Sequence, residues 1–278
     1  MKHYWNFIVL ILLFSSCVPK AFLIDQPKLV SIYFEHKIKK LEKEKSNTLS
    51  KNREAIKTKI EYGFGIIMEE ADRLIDDDYR SAIDKYEKAH KIFKQARDQA
   101  LAIITNRYPV FNDWLRNKAD IVFNQDDILD LYWLAASYGG SISSSRANPY
   151  ELIYLPYVGK ILSKCISLNP EWDEGALYSA MMSFTSSRSD LSEKAFRDSL
   201  DYYFNRTISL SGGMNAGPYV TYAESVHKLF QEKKDFLDKL NYVLDMDIIP
   251  NNKYELSNLI AKNRAKWLLT KTDEYFIE

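Results

Sequence analysis

Cys165-Ile166-Ser167-Leu168-Asn169-Pro170, Thr207-Ile208-Ser209-Leu210-Ser211-Gly212 and Val243-Leu244-Asp245-Met246-Asp247-Ile248 are three versions of one helix ending, set 42 and 36 residues apart. Each closes an apolar helical pattern, with Pro170, Gly212 and the following Ile249-Pro250 as stop signals. A helix-turn-helix unit of this length is too small to bury its own apolar face. It gains stability by stacking on its neighbours, which is the physical basis of a helical solenoid.

Outward from these endings, apolar residues after Ile60 recur at three- and four-residue spacings, with almost no strictly alternating or Val-rich runs. That periodicity belongs to packed amphipathic helices and not to strands. The sequence therefore predicts an all-α fold, with helices near 61–76, 79–106, 127–146, 151–168, 172–185, 191–210, 218–229, 232–246 and 253–271. Asp126-Asp127, Asn148-Pro149, Asn169-Pro170, Ser211-Gly212-Gly213, Gly217-Pro218 and Ile249-Pro250 supply the breaks. Ala82, Tyr86 and Ala89 repeat the small, aromatic, small spacing of the second helix of a tetratricopeptide-like hairpin, where small residues let neighbouring helices approach. The expected architecture is an α-solenoid of such hairpins over 61–278.

The 278 residues suffice for one large helical domain. Lysines and arginines match aspartates and glutamates at 38 each, so the chain carries no net field to hold a polyanion, and nucleic acid is not an expected partner. At the start, Met1-Lys2-His3 precede an apolar run from Trp5 to Phe14, then Ser15, Ser16 and Cys17. This is an export signal. The run is about half the roughly 20 residues needed to span a bilayer. Leu13-Phe14-Ser15-Ser16-Cys17 resembles a bacterial lipobox, departing from its commonest form at Phe14 and Ser16. Residues 1–17 are thus read as a lipoprotein signal ending at a lipidated Cys17, with ordinary cleavage nearby or an uncleaved anchor as alternatives. Cys165 is then left as a buried core thiol with no disulfide partner. Residues 18–60 read as a charged linker or solvated N-terminal helix. Lys37, Lys39, Lys40, Lys43 and Lys45 outnumber Glu35, Glu42 and Glu44 there, and few large apolar residues follow Phe34. Its basic excess suits either plain solvation or contact with anionic headgroups near the anchor.

Several stretches together resemble the TRAP-associated T-component lipoproteins, the TatT family, from about Tyr62 onward. They are Tyr79-Arg80 through Ala82, Tyr86, Ala89, Arg97 and Leu101; Leu131-Tyr132-Trp133-Leu134-Ala135-Ala136 with Gly139 and Ile142; Leu155-Pro156 ahead of Leu168-Asn169-Pro170; and Gly175-Ala176-Leu177. Leu210-Ser211-Gly212-Gly213 with Pro218-Tyr219-Val220 and Ala223-Glu224 follow, then Asn258-Leu259-Ile260-Ala261 with Arg264 through Leu269. None is specific alone; their order behind a lipobox is. The resemblance implies a periplasmic, lipid-tethered homotrimer. Such a protein docks the periplasmic solute-binding P component of a TRAP transporter and helps pass on a solute, in one version a hydrophobic one. An envelope scaffold or assembly lipoprotein is the alternative.

Arg264 falls on or beside the apolar stripe of its helix, where an unpaired cation is costly. It should meet an acid such as Glu224 or line a wet ligand channel. Asn258, on the same helix, either lines that channel or holds a turn. Gly139 and Gly140 interrupt a helix of large residues, at a cost of roughly 1 kcal/mol each relative to alanine; a close helix crossing or a widened gap for a ligand offsets it. Tyr132, Trp133, Tyr138, Tyr157, Tyr178, Tyr219 and Tyr222 are candidates for a cavity or partner face, against the plain reading as core. For catalysis the sequence offers little. His36, His90 and His227 are isolated, with no paired metal-ligand spacing, and no nucleophile elbow, phosphate loop or dinucleotide turn is present. No enzyme activity, metal or cofactor is expected. Asp76-Asp77-Asp78 and Asp126-Asp127 sit at helix boundaries, where capping explains them.

Overall fold

A computed structural model describes residues 27–43 and 48–276. The leader, Cys17 and the lipobox lie outside the described residues. In chain order the helices are α1 (Pro27–Lys43), α2 (Leu49–Tyr62), a π-helical stretch (Gly63–Met68), α3 (Glu69–Leu74), α4 (Tyr79–Arg107) and α5 (Phe111–Leu115). A 3-10 turn (Gln125–Asp127) leads to α6 (Ile128–Ser144), α7 (Pro149–Leu152), α8 (Leu155–Leu168), α9 (Ala176–Ser186) and α10 (Glu193–Ser211). The chain ends with α11 (Gly217–Tyr222), a second π-helical stretch (Ala223–His227), α12 (Lys233–Asp245), α13 (Glu255–Thr270) and α14 (Thr272–Tyr275). The described residues contain no strand, so the fold is all-α, as the periodicity predicts.

Local chemistry explains the boundaries. Asp78 caps α4 by accepting from the Ser81 amide (3.1 Å). Asn124 and Asp127 form a reciprocal box, Asn124 Oδ1 accepting from the Asp126 amide and Asp127 Oδ2 from the Asn124 amide. These aspartates answer the orphan donors of helix N-termini. The three repeated endings close α8, α10 and α12, and Gly212 takes the left-handed conformation (φ 59°) that a C-cap favours. The helix expected from 172 starts only at Ala176, because Asp173, Glu174 and Gly175 are all left-handed (φ 47°, 54° and 94°). The 80-residue-distant Lys253 and Tyr254 hold that turn, at 2.8 Å to Asp173 and 2.7 Å to Glu174.

Over its described part the 18–60 segment is helical, one of the two readings given for it, but it is not solvated throughout. α1 and α2 form a packed hairpin. Val30, Phe34, Ala55, Ile56 and Ile60 are buried in the main core, and the Phe34 ring stacks on Tyr62 at 5.3 Å. Lys59 is 1% exposed, yet its ammonium reaches Glu42 at 2.6 Å and Gln99 at 2.9 Å. A charged end on an apolar stem thus serves as core filler, which a composition count misses.

Helices then stack serially: α1 on α2, α2 on α4, α4 on α6, α6 on α8, α8 on α9, α9 on α10 and α12 on α13. The largest apolar cluster runs from Val30 to Met181, and a second, from Ala216 to Phe276, belongs to the last hairpin. Phe93 of α4 is fully buried where α2 and α6 cross it. A Cβ on Gly63 would lie 2.4 Å from its ring and one on Gly140 2.3 Å, whereas one on Gly139 would meet nothing within 4 Å. Close crossing is therefore the role of Gly140. Gly139 does not share it.

Candidate functional site

Arg264 on α13 reaches back to α3, nearly two hundred residues earlier. Its Nε and Nη2 donate to the two oxygens of Glu224 at 2.6 and 2.8 Å, and Nη1 donates to Glu69 at 2.9 Å and Asp72 at 2.8 Å. The acid expected from the sequence, Glu224, is the bidentate partner. Burial opposes the guanidinium charge, but Glu224, then Glu69 and Asp72, more than offset it and hold its pKa well above the usual value. Burial pushes Glu69 up from the ordinary carboxylate value, against the pull of Arg264 and Arg73. Arg264 also lies over the Trp267 ring (5.5 Å), and the Tyr86 hydroxyl donates to Asp72. Lys271 adds a second tie to this side, to Asp76 at 3.2 Å. Beside the cluster, Gly65, Ile66, Glu69, Arg73, Ile260 and Asn263 line a void of about 30 Å³. That is room for a water or two.

A larger cavity, about 280 Å³, opens on another face of α13, lined by the Gly212-Gly213 turn, Met214, Tyr242, Met246 and Ile249 together with the polar Asp247, Asn252, Glu255 and Asn258. It approaches the size of small-molecule pockets, and its lining is mixed, apolar side chains facing two amides and the Asp247 and Glu255 carboxylates. Asn258 lines this cavity, and it holds the turn by accepting from the Ala216 amide (2.9 Å) and donating to the Met214 carbonyl (2.7 Å). Asn258 and Arg264 thus serve different faces of one helix.

The aromatic candidates divide into separate groups. Tyr132 and Trp133 contact each other at 5.0 Å, and Tyr132 meets Trp172 at 5.0 Å; burial pushes the Tyr132 hydroxyl up to about 12. Tyr138 is buried, packs with Tyr157 and carries Arg97 over its ring at 5.4 Å. Tyr178 is buried against Tyr202 and Tyr203. Tyr219 and Tyr222 surround Lys239 with Phe204, the ammonium lying 4.5 Å from Phe204, 4.7 Å from Tyr222 and 6.0 Å from Tyr219. Burial pushes the Lys239 pKa down, against Asp235 and Asp201. Neither of the two cavities described above is lined by any of these seven candidate residues.

Sequence reading did not single out Lys239, Glu69 or Asp72. The last two stand three apart on α3, a spacing that places them on one helix face but names no partner. His227, Glu232 and Asp235 bring possible ligand atoms within 4.8 Å of one another. The Glu232 carboxylate is already shared by His227 (2.7 Å) and Arg197 (2.8 Å), the latter a fixed positive charge that disfavours a metal ion there. Among the described residues no helix is long and apolar enough to cross a membrane.

Comparison with known proteins places this arrangement. The chain is 19% identical over 228 residues to an uncharacterized protein of Treponema pallidum (strain Nichols), covering 79% of this chain and 70% of that protein. A family model described as "TRAP transporter T-component" matches residues 41–276, from the end of α1 through α14. That family is a transport component and not a family of enzymes. With a match spanning nearly every described helix, the chain belongs to the TRAP transporter T-component family.

Proposed function

We propose that this protein is a periplasmic, lipid-anchored accessory of a TRAP transporter that docks the periplasmic solute-binding P component and helps hand over a solute. The family match over 41–276 carries the reading. A serially packed helical array suits it, since such arrays present extended rigid surfaces for a partner. Exposed apolar groups on the short α7 and its neighbourhood, Tyr150 at 80% and Ile153 at 63% exposure, are of the kind that anchors protein interfaces. The cavity lined by Met214, Tyr242, Met246 and Ile249 is our candidate solute site, its apolar side taking the hydrophobic part of a solute and Asp247, Asn252, Glu255 and Asn258 its polar end. A homotrimer anchored through Cys17 is the assembly we assign.

The test is direct. The full chain and a solute-binding P component of a TRAP transporter from the same organism are purified separately, mixed, and followed by sedimentation velocity and light scattering. A complex containing three copies of this chain supports the reading. Failure of the two to associate at micromolar concentration, with and without solute, refutes the docking role; a monomer in the same runs refutes the trimer.

A further inference from the structure

The basic excess of α1 suits plain solvation or contact with anionic headgroups, and the rotation of the helix bears on the choice. Val30 and Phe34 face inward and are buried, which fixes the rotation of the helix. Its two acids sit at one edge and are engaged: Glu35 with Lys88 (2.6 Å) and Tyr62 (3.0 Å), Glu42 with the buried Lys59 (2.6 Å). Lys37 is tied to Glu54 (3.2 Å). What remains outward is Lys28, Lys39, Lys40 and Lys43, all exposed and forming no ion pair among the described residues, with Ile32 (62% exposed) and Tyr33 (50%) between them. At 100° per residue, Lys28, Lys39, Ile32 and Lys43 fall within about 60° of one another on the helix surface. Both acids are themselves exposed (53% and 45%) but lie along one border of this face with their charges paired, so the lysines and two large apolar groups beside them carry the unbalanced charge.

We propose that this face of α1 lies on the anionic surface of the membrane that holds the lipid anchor. The proposal rests on Cys17 being lipidated. Nine residues, 18–26, separate Cys17 from α1; fully extended they span at most about 30 Å, so α1 is confined near the headgroups. Lysines there are attracted by the surface potential of acidic lipids, each contributing about fivefold to binding, and Ile32 and Tyr33 enter the headgroup boundary. The occupant is a lipid surface and not a protein: four unpaired ammonium groups around two apolar side chains complement a sheet of phosphodiesters, whereas protein interfaces are depleted in lysine.

The full chain, made with its own leader, carries Ile32→Cys labelled with an environment-sensitive fluorophore. Cys165 is buried and escapes labelling in the native protein. The protein is reconstituted into vesicles of phosphatidylcholine alone or with phosphatidylglycerol added. The expected result is a blue-shifted emission on the acidic vesicles only, reversed by high salt. It is abolished when Lys28, Lys39, Lys40 and Lys43 are changed together to Gln, a loss of several hundredfold in local binding by the lysine increment above. Equal emission on both vesicles, or no change in the quadruple variant, overturns the proposal. The mass of the mature N-terminus tests the anchor separately. If Cys17 carries no lipid, the same label is read after adding vesicles to the soluble chain: a shift on acidic vesicles sustains the basic face without the anchor, and none overturns it.

Discussion

Arg264→Met is the perturbation that asks most of this structure. The substitution keeps the apolar stem and removes four charge-assisted hydrogen bonds, leaving Glu69, Asp72 and Glu224 facing one another without their cation. Removing one partner of a buried ion pair costs about 3–5 kcal/mol. The Arg264 side chain keeps 21% of its exposure and its partners 15–25%, so water screens part of this and about 3 kcal/mol is the expected loss. For a chain of this size that is a fall in Tm of roughly 6–12 °C. The pH dependence sharpens the test. The folded-state pKa of Glu69 is already raised by burial and rises further without Arg264, so the native state binds its proton at a pH where the unfolded chain does not. Stability contributed by that proton is present below the unfolded value and lost as pH rises through the folded one. The variant therefore recovers toward wild type as the pH is lowered from 8 towards 5. Thermal melts across that range, with amide exchange read at 63–74 and 255–270, measure both effects. A Tm unchanged within error, or a deficit that does not shrink on acidification, refutes the reasoning.

Three further outcomes follow from the packing. Gly140→Ala drives a methyl into the fully buried Phe93 ring and is expected to cost about 1–3 kcal/mol, whereas Gly139→Ala, which meets nothing, gains up to about 1 kcal/mol; chemical denaturation of the pair checks the sign reversal. Burial pushes the Cys165 thiol up to about 12, so a thiol reagent at pH 8 should modify it only as fast as the protein opens, and a native rate near that of free cysteine would contradict the fold. Asp127 is held below the ordinary carboxylate value; burial opposes this, but the Asn124 amide, Tyr108 and Arg107 prevail. Its contribution is present above the unfolded pKa and lost as pH falls through the folded one, so Asp127→Asn should lower stability at pH 7 and flatten the acid limb of the melting curve.

The helical class, most helix spans and the three repeated endings were legible because each is a local property: spacing of apolar residues and the chemistry of stops. Arg264 was legible for a related reason, since a cation on an apolar stripe demands an acid, and Glu224 lay in a stretch already in view. Glu69 and Asp72 were not, because nothing local in Glu69-Glu70-Ala71-Asp72 says which acids meet a helix almost two hundred residues away. The packing of the first hairpin was not legible, for a different reason. Its apolar positions, Val30, Phe34, Ile56 and Ile60, keep helical spacing, but lysines such as Lys59 hide among surface charges while filling the core. The left-handed turn Asp173-Glu174-Gly175 was equally silent, since only Gly175 advertises such a backbone. The aromatic candidates were read by type, and type does not distinguish the buried Tyr138 from the half-buried Tyr219.

The two π-helical stretches explain how a serial array comes to be fastened across its length. Each lies at the acids that hold Arg264: Gly63–Met68 immediately precedes Glu69 and Asp72, and Ala223–His227 contains Glu224. A π turn accommodates one extra residue, and one residue is about 100° of helix rotation. In an uninterrupted α-helix continued from α2, Glu69 and Asp72 would point about a quarter turn away from α13. The geometry that lets Gly63 pass against Phe93 is therefore continuous with the geometry that aims the carboxylates. The apolar clusters of the first and last hairpins are separate, and the contact between α13 and the α2–α3 rod includes Ile260 against Gly65 and these ion pairs, with Lys271 to Asp76 beyond its end. Ionic contacts hold geometry without the large apolar area that makes a junction irreversible. The last hairpin is thereby tied to the first, beside its packing on α11 and its bonds to the Asp173-Glu174 turn, by ionic contacts buried enough that salt screens them only weakly.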